Sequence, residues 1–117
     1  MNTEQVSHEL VDFLKQGNFE GAQKALFHPQ VVSIEPGNTG LPKTDGLENV
    51  LKKGAQFRQS VAAWHGIAVS KPVLSKDHFS IALKVDLTFK GQKPSSLDEI
   101  IVYEVNDGKI VTETFYY

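Results

Sequence analysis

The stretch Asp98–Tyr117 sets three glutamates, Glu99, Glu104 and Glu113, among β-branched and aromatic residues. A carboxyl group in an apolar setting has its neutral form favoured by desolvation. Its titration moves toward neutral pH, where it can give or take a proton. Glu113 is the leading candidate for that work, and Glu99 is the candidate second carboxylate, since two acids close together push their titrations apart. Tyr103 is a candidate hydrogen-bond donor to a ligand carbonyl. His65 is a candidate acid, base or donor at a pocket mouth. Phe115, Tyr117, Trp64, Phe57 and Ile101 are the expected apolar lining. Each has an ordinary reading beside it. Glu113 and Glu99 also suit a wet strand face, His65 a satisfied surface position, and Tyr103 and the other aromatics a packed core.

Which face the carboxylates occupy depends on a hairpin. Two strand-like runs flank Asn106-Asp107-Gly108-Lys109, and Asp-Gly between β-branched residues is a strong hairpin signal. A two-residue turn places Val102 opposite Glu113. A three-residue loop with Gly108 in the left-handed conformation places Ile101 there. The second is preferred because it gathers most of the large aromatics on one side, with Glu99, Ile101, Tyr103, Val111, Glu113, Phe115 and Tyr117 together. The other side then carries Asp98, Ile100, Val102, Glu104, Ile110, Thr112, Thr114 and Tyr116.

The elements that must position this hairpin follow from periodicity. Val6, Leu10, Phe13 and Leu14 predict a helix over residues 3–16, with Thr3 as cap and Gly17 as stop. Asn18 caps a second helix, roughly residues 19–27, which His28-Pro29 ends. Val31, Val32 and Ile34 make a short strand. Asp45-Gly46-Leu47-Glu48 reads as a capping-box variant opening a third helix, with Leu47, Val50, Leu51, Phe57 and Val61 down one side. Lys52, Lys53, Arg58 and Gln59 lie mainly off that stripe. A strand runs from Trp64 to Ser75, bent at Pro72. Another runs from His78 to Lys90 with Phe79, Ile81, Leu83, Val85, Leu87 and Phe89 alternating. The expected fold is α+β: one domain spanning residues 1–117, its three N-terminal helices packed on a strongly curved antiparallel sheet around a conical pocket.

Composition narrows the function. The chain has 117 residues, 40% hydrophobic and 22% charged, with a net charge of −2 and no basic run, so neither nucleic acid nor an anionic membrane is an expected partner. There is no cysteine, which removes disulfides, thiolate metal sites and cysteine nucleophiles and suits a reducing cytoplasm. The N-terminus lacks the basic and apolar regions of a secretory signal, and no apolar run is long enough for a membrane span. His8, His28, His65 and His78 show no paired ligand spacing, so no histidine-cluster metal site is expected, while a mixed carboxylate site stays open. No phosphate-cradling glycine pattern or nucleophile elbow is present, and no cofactor is expected.

The run Tyr103-Glu104-Val105-Asn106-Asp107-Gly108-Lys109-Ile110-Val111, leading to Glu113-Thr114-Phe115-Tyr116-Tyr117, resembles the nuclear transport factor two-like superfamily and, within it, the SnoaL-like group. With the helix order and long strands the resemblance extends over nearly the whole chain. It implies the cystatin-like α+β roll. It also implies isomerase, lyase or cyclase chemistry without a cofactor, or a non-catalytic binding module, so fold alone does not fix function. The group's cyclases are similar in using an aspartate in a His-Trp-Asp run on the last strand. Here the run is Glu113-Thr114-Phe115, with phenylalanine in the aspartate's place. The expected partner is a small apolar or aromatic molecule. A homodimer is expected through the outward sheet face that carries Lys84, Asp86 and Thr88.

Overall fold

The computed structural model describes residues 1–117. Helix α1 spans Thr3–Lys15 and buries Val6, Leu10, Val11 and Leu14, while Phe13 is only half-buried. Its cap is Asn2 rather than Thr3. The Asn2 side chain accepts from the Gln5 backbone N–H at 2.8 Å, and Gln5 Oε1 accepts from the Asn2 N–H at 2.9 Å. This reciprocal box satisfies two orphan donors at once. Thr3 instead donates its hydroxyl to the Lys76 carbonyl at 2.8 Å. Gly17, at φ +70°, ends the helix. Helix α2 spans Phe19–Leu26, with Asn18 accepting from the Gly21 N–H at 2.9 Å.

Strand β1, Phe27–Ile34, begins at once, so His28-Pro29 lies inside a strand rather than stopping a helix. The ladder tolerates the proline because the β1 pairing skips from Phe27 to Val32, leaving Pro29 where no N–H is needed. Strand β2 is the short Thr44–Asp45. Helix α3, Leu47–Gln59, is capped by Gly46 at φ +87° with no side-chain cap, so the expected Asp45 box does not form. The Gly46 N–H donates to the Val31 carbonyl at 2.7 Å, which ties the start of α3 to β1.

The remaining strands are β3 (Val61–Val69), β4 (Val73–Leu74), β5 (His78–Phe89), β6 (Pro94–Asn106) and β7 (Lys109–Tyr116). Their order across the sheet is β2-β1-β7-β6-β5-β3, with β4 beside β5. The expectation of a wholly antiparallel sheet needs one correction: β1 runs parallel to β7. A parallel neighbour needs a long crossover, and here the whole chain between β1 and β7 provides it. The alternating residues of β5 behave as their period demands, with Phe79, Ile81, Leu83, Val85 and Leu87 all buried. Helix α3 lies against β1, and α1 lies against β3 and β5. The three helices thus cover the inner face of an open, bulged α+β sheet.

The hairpin adopts neither register expected of it. Asn106 pairs with Lys109 across a two-residue turn in which Asp107 (φ 50°) and Gly108 (φ 73°) are both left-handed. Val105 then pairs with Ile110, but Glu104 pairs with Thr112, leaving Val111 as a bulge. Beyond the bulge Tyr103, not Ile101 or Val102, lies opposite Glu113. The bulge changes the phase of the strand. Ile110, expected outside, is fully buried, and Glu113 three residues later is buried as well. Strict alternation would have turned one of them out.

Candidate functional site

Pairing across three ladders places Ser33, Glu113, Tyr103 and Phe79 in one row on the inner face. Tyr103 stacks on Phe79 with ring centroids 4.9 Å apart and meets Phe27 edge-on at 6.5 Å. That aromatic group fills the interior beside Glu113. Burial holds the Tyr103 phenol well above its ordinary range, with Glu113 and Glu99 adding to the effect. Glu113 is 6% exposed and accepts from Ser33 Oγ at 2.9 Å; Ser33 is fully buried.

Helix α3 completes the site. Lys53 Nζ donates to Ser33 Oγ at 3.1 Å and to Glu35 Oε1 at 3.0 Å. The Tyr117 hydroxyl donates to Glu35 Oε2 at 2.8 Å. The Lys53 ammonium also lies 5.5 Å from the centre of the Phe115 ring. A polar chain therefore runs Tyr117–Glu35–Lys53–Ser33–Glu113, with an aromatic wall at Phe115. Burial pushes the Glu113 carboxyl up to about 7, opposed by the Ser33 hydrogen bond and the Lys53 charge, while Glu35 and Glu99 push it further up. Half-buried Glu99 is likewise raised to about 7, by burial first and then by Glu35, against the pull of Lys53. Such an arrangement holds acid and base forms together near neutral pH, which proton transfer in either direction requires.

Of the residues expected in the site, Glu113, Glu99, Tyr103, Phe115, Tyr117 and Ile101 share this region. Ile101 sits between Ile81 and Phe115 in the next inward row, 2% exposed. The other three do not join it. His65 lies in a second bulge, where β3 pairing slips between Trp64 and Gly66, and its Nε2 shares a 2.7 Å hydrogen bond with Thr88 Oγ1. The donor to Glu113 is therefore Ser33, and His65 bonds elsewhere. Trp64, 46% exposed, stacks on Phe19 at 6.2 Å and meets Phe57 at 6.1 Å. Trp64 and His65 border a groove of about 450 Å³ with Gly17, Phe19, Arg58 and Ile67, which none of the carboxylates lines. Val111, expected on the inner face, borders a different recess with His28 and Lys109.

Three members of the chain are absent from the expected list: Ser33, Glu35 and Lys53. Two had a signal. Ser33 and Glu35 follow the buried Val31 at a spacing of two, which puts them on its face. Lys53 stands between Val50 and Phe57 at helical spacing of three and four, on the face that meets β1. Its charge argued for solvent; its position argued for the site. No group of three or more histidines, aspartates or glutamates is placed to hold a metal ion.

Comparison with known proteins bears on the same geometry. The family model described as SnoaL-like domain matches residues 1–117. A structure from Mesorhizobium loti, named as a candidate SnoaL-like polyketide cyclase and also as a carbohydrate phosphatase, is 29% identical, with 100% of both chains covered and a TM-score of 0.89. A protein of unknown function with a cystatin-like fold from Xanthomonas campestris is 19% identical, with 99% of this chain and 90% of that one covered and a TM-score of 0.81. A ketosteroid isomerase-like fold from Catenulispora acidiphila, in complex with trimethylamine, is 17% identical, with 93% and 85% covered and a TM-score of 0.76. No curated protein matches the chain.

Proposed function

This chain belongs to the SnoaL-like domain family, and we propose that it transforms a small, neutral, apolar or aromatic carbonyl compound by acid/base chemistry, as an isomerase, lyase or cyclase without a cofactor. One observation carries the reading: Glu113 is buried, which pushes its carboxyl up to about 7, and hangs from a serine that a lysine also holds. In the proposed step ionised Glu113 removes a proton from the carbon beside the ligand carbonyl, leaving an enolate and a neutral acid. The acid then returns its proton to another atom of the ligand. The Lys53 ammonium is bonded to the serine that holds Glu113, so we assign charge stabilisation to Lys53 rather than to His65 or Tyr103. Glu99 serves as the second titrating carboxyl. Phe115 and Tyr117 offer the apolar wall, and a cysteine-free chain suits the cytoplasm as its setting.

The test needs no known substrate. Neutral ketones and cyclic diketones are incubated in deuterated buffer and followed by proton NMR. The protein should accelerate exchange of the protons beside the carbonyl, with a rate that rises as pH passes through 7, and Glu113→Gln should abolish the acceleration. Binding of such compounds with no exchange would replace the enzyme by a non-catalytic binding domain using the same cluster. Exchange that survives in Glu113→Gln would remove Glu113 from the chemistry.

A second reading concerns assembly. Ile100 and Tyr116 pair side by side on the outer face and remain 45% and 55% exposed. Beside them on β5 lie Ala82, Lys84 and Asp86. We propose that this mixed apolar and polar face joins two copies of the chain.

A further inference from the structure

We infer that Ser33 and Lys53 are positioning residues for the Glu113 proton: they form a directed donor chain that holds Oε1 as an acceptor and leaves Oε2 as the atom that carries and exchanges the proton. The inference deepens the acid/base reading of the same site and rests on it. Its basis is the hydrogen inventory. A lysine ammonium only donates, so the 3.1 Å bond from Lys53 Nζ occupies a lone pair of Ser33 Oγ. Ser33 has one hydrogen of its own, and it is fully buried, with Glu113 Oε1 as its acceptor at 2.9 Å. A proton on Oε1 would force that hydroxyl to turn away with no partner, at the cost of an unsatisfied buried donor. Neutral Glu113 must then carry its proton on Oε2. Once ionised, it keeps the Ser33 bond and offers Oε2 to a ligand. The groups facing Glu113 are Ser33 from β1, Glu35 just past the end of β1, Lys53 from α3, and Tyr103 and Glu99 from β6. Of these only Ser33 and Lys53 favour its ionised form, and the hydrogen bonds from Lys53 to Ser33 and from Ser33 to Glu113 set them in series.

Infrared titration of the whole protein between pH 5 and 9 tests this without a substrate. The Glu113 carboxyl band is assigned by subtracting Glu113→Gln, and the Glu99 band by subtracting Glu99→Gln. In the native protein the C=O of neutral Glu113 should be hydrogen-bonded, because it is Oε1. In Ser33→Ala that band should move to higher frequency and the midpoint should rise by about one pH unit. Lys53→Met should move band and midpoint in the same direction although Ser33 is still present, and Lys53→Arg should return both toward native values. A band unmoved by Ser33→Ala would overturn the inference, because Oε1 would then not be the carbonyl atom. So would a Lys53→Met protein whose midpoint rises while the band stays in place, since Lys53 would then act through space and not through Ser33. Failure of the deuterium-exchange assay with these infrared results intact would remove the proposed chemistry and leave the donor chain standing. Exchange with an unmoved band would do the reverse.

Discussion

Glu113 is tuned by opposing effects, of which burial is the largest. Burial alone disfavours its charge, while Ser33 and Lys53 restore part of what water would have supplied, and the balance falls at about 7. The stability consequence has a definite sign. The folded-state value is raised above the ordinary value of 4.5, so the native state holds its proton more tightly than the unfolded chain. Stability is complete below pH 4.5 and declines as pH rises through 7. The loss at high pH is on the order of 3 kcal/mol for Glu113 alone. Glu113→Gln, which cannot ionise, should flatten that decline. Urea midpoints at pH 5 and pH 8.5 should differ less for the variant than for the native protein, and the variant should be the more stable of the two at pH 8.5. Lys53→Met should steepen the same decline, since both Glu113 and Glu99 lose their counter-charge.

At the scale of elements, three short features position the chain. The first is the turn. Gly108 is left-handed, and a Cβ there would lie 2.8 Å from the Met1 carbonyl oxygen. Gly108→Ala should therefore cost at least about 1 kcal/mol, from backbone strain and from the clash with the N-terminus. Thermal unfolding should show it as a drop of roughly 4 °C. The second is the cap of α1. Asn2→Ala removes both the acceptor for the Gln5 N–H and half of a capping box, and should cost about 1 kcal/mol. Thr3→Ala, which leaves the cap intact, should cost less in the same melt. The Val111 bulge is the third device at this scale. It lets Ile110 enter the core and Glu113 enter the site on one strand.

At the scale of the molecule, the inner face divides into a dry part and a polar part. Tyr103, Phe79 and Phe27 make the first, and Lys53, Glu35 and Tyr117 mark the second. No helix is long and apolar enough to cross a membrane. The outer face carries the proposed dimer contact at Ile100 and Tyr116. Sedimentation velocity at tens of micromolar should give a dimer for the native chain and a monomer for Ile100→Lys combined with Tyr116→Lys. A native protein that sediments as a monomer there would remove the contact.

Sequence by itself determined what depends on short-range period and composition. The alternation of β5 set its buried face, Gly17 and Asn18 set the joint between α1 and α2, and Asp107-Gly108 set a hairpin. The run from Tyr103 to Tyr117, with the helix order and the long strands, carried the SnoaL-like resemblance, and the gathering of large aromatics on one side carried the inward placing of Glu113. Tertiary structure decided what depends on a neighbour distant in the chain. The partner of Glu113 comes from β1, which reaches it only through a parallel pairing across 80 residues of separation. Lys53 reads as a solvated charge until β1 is docked beneath it. The bulge at Val111 appears only once Ile110 and Glu113 both require the inner face. Local pattern encodes which way a side chain points; the partner that meets it, and so the pH at which it titrates, is set by strands and helices that the sequence keeps far apart.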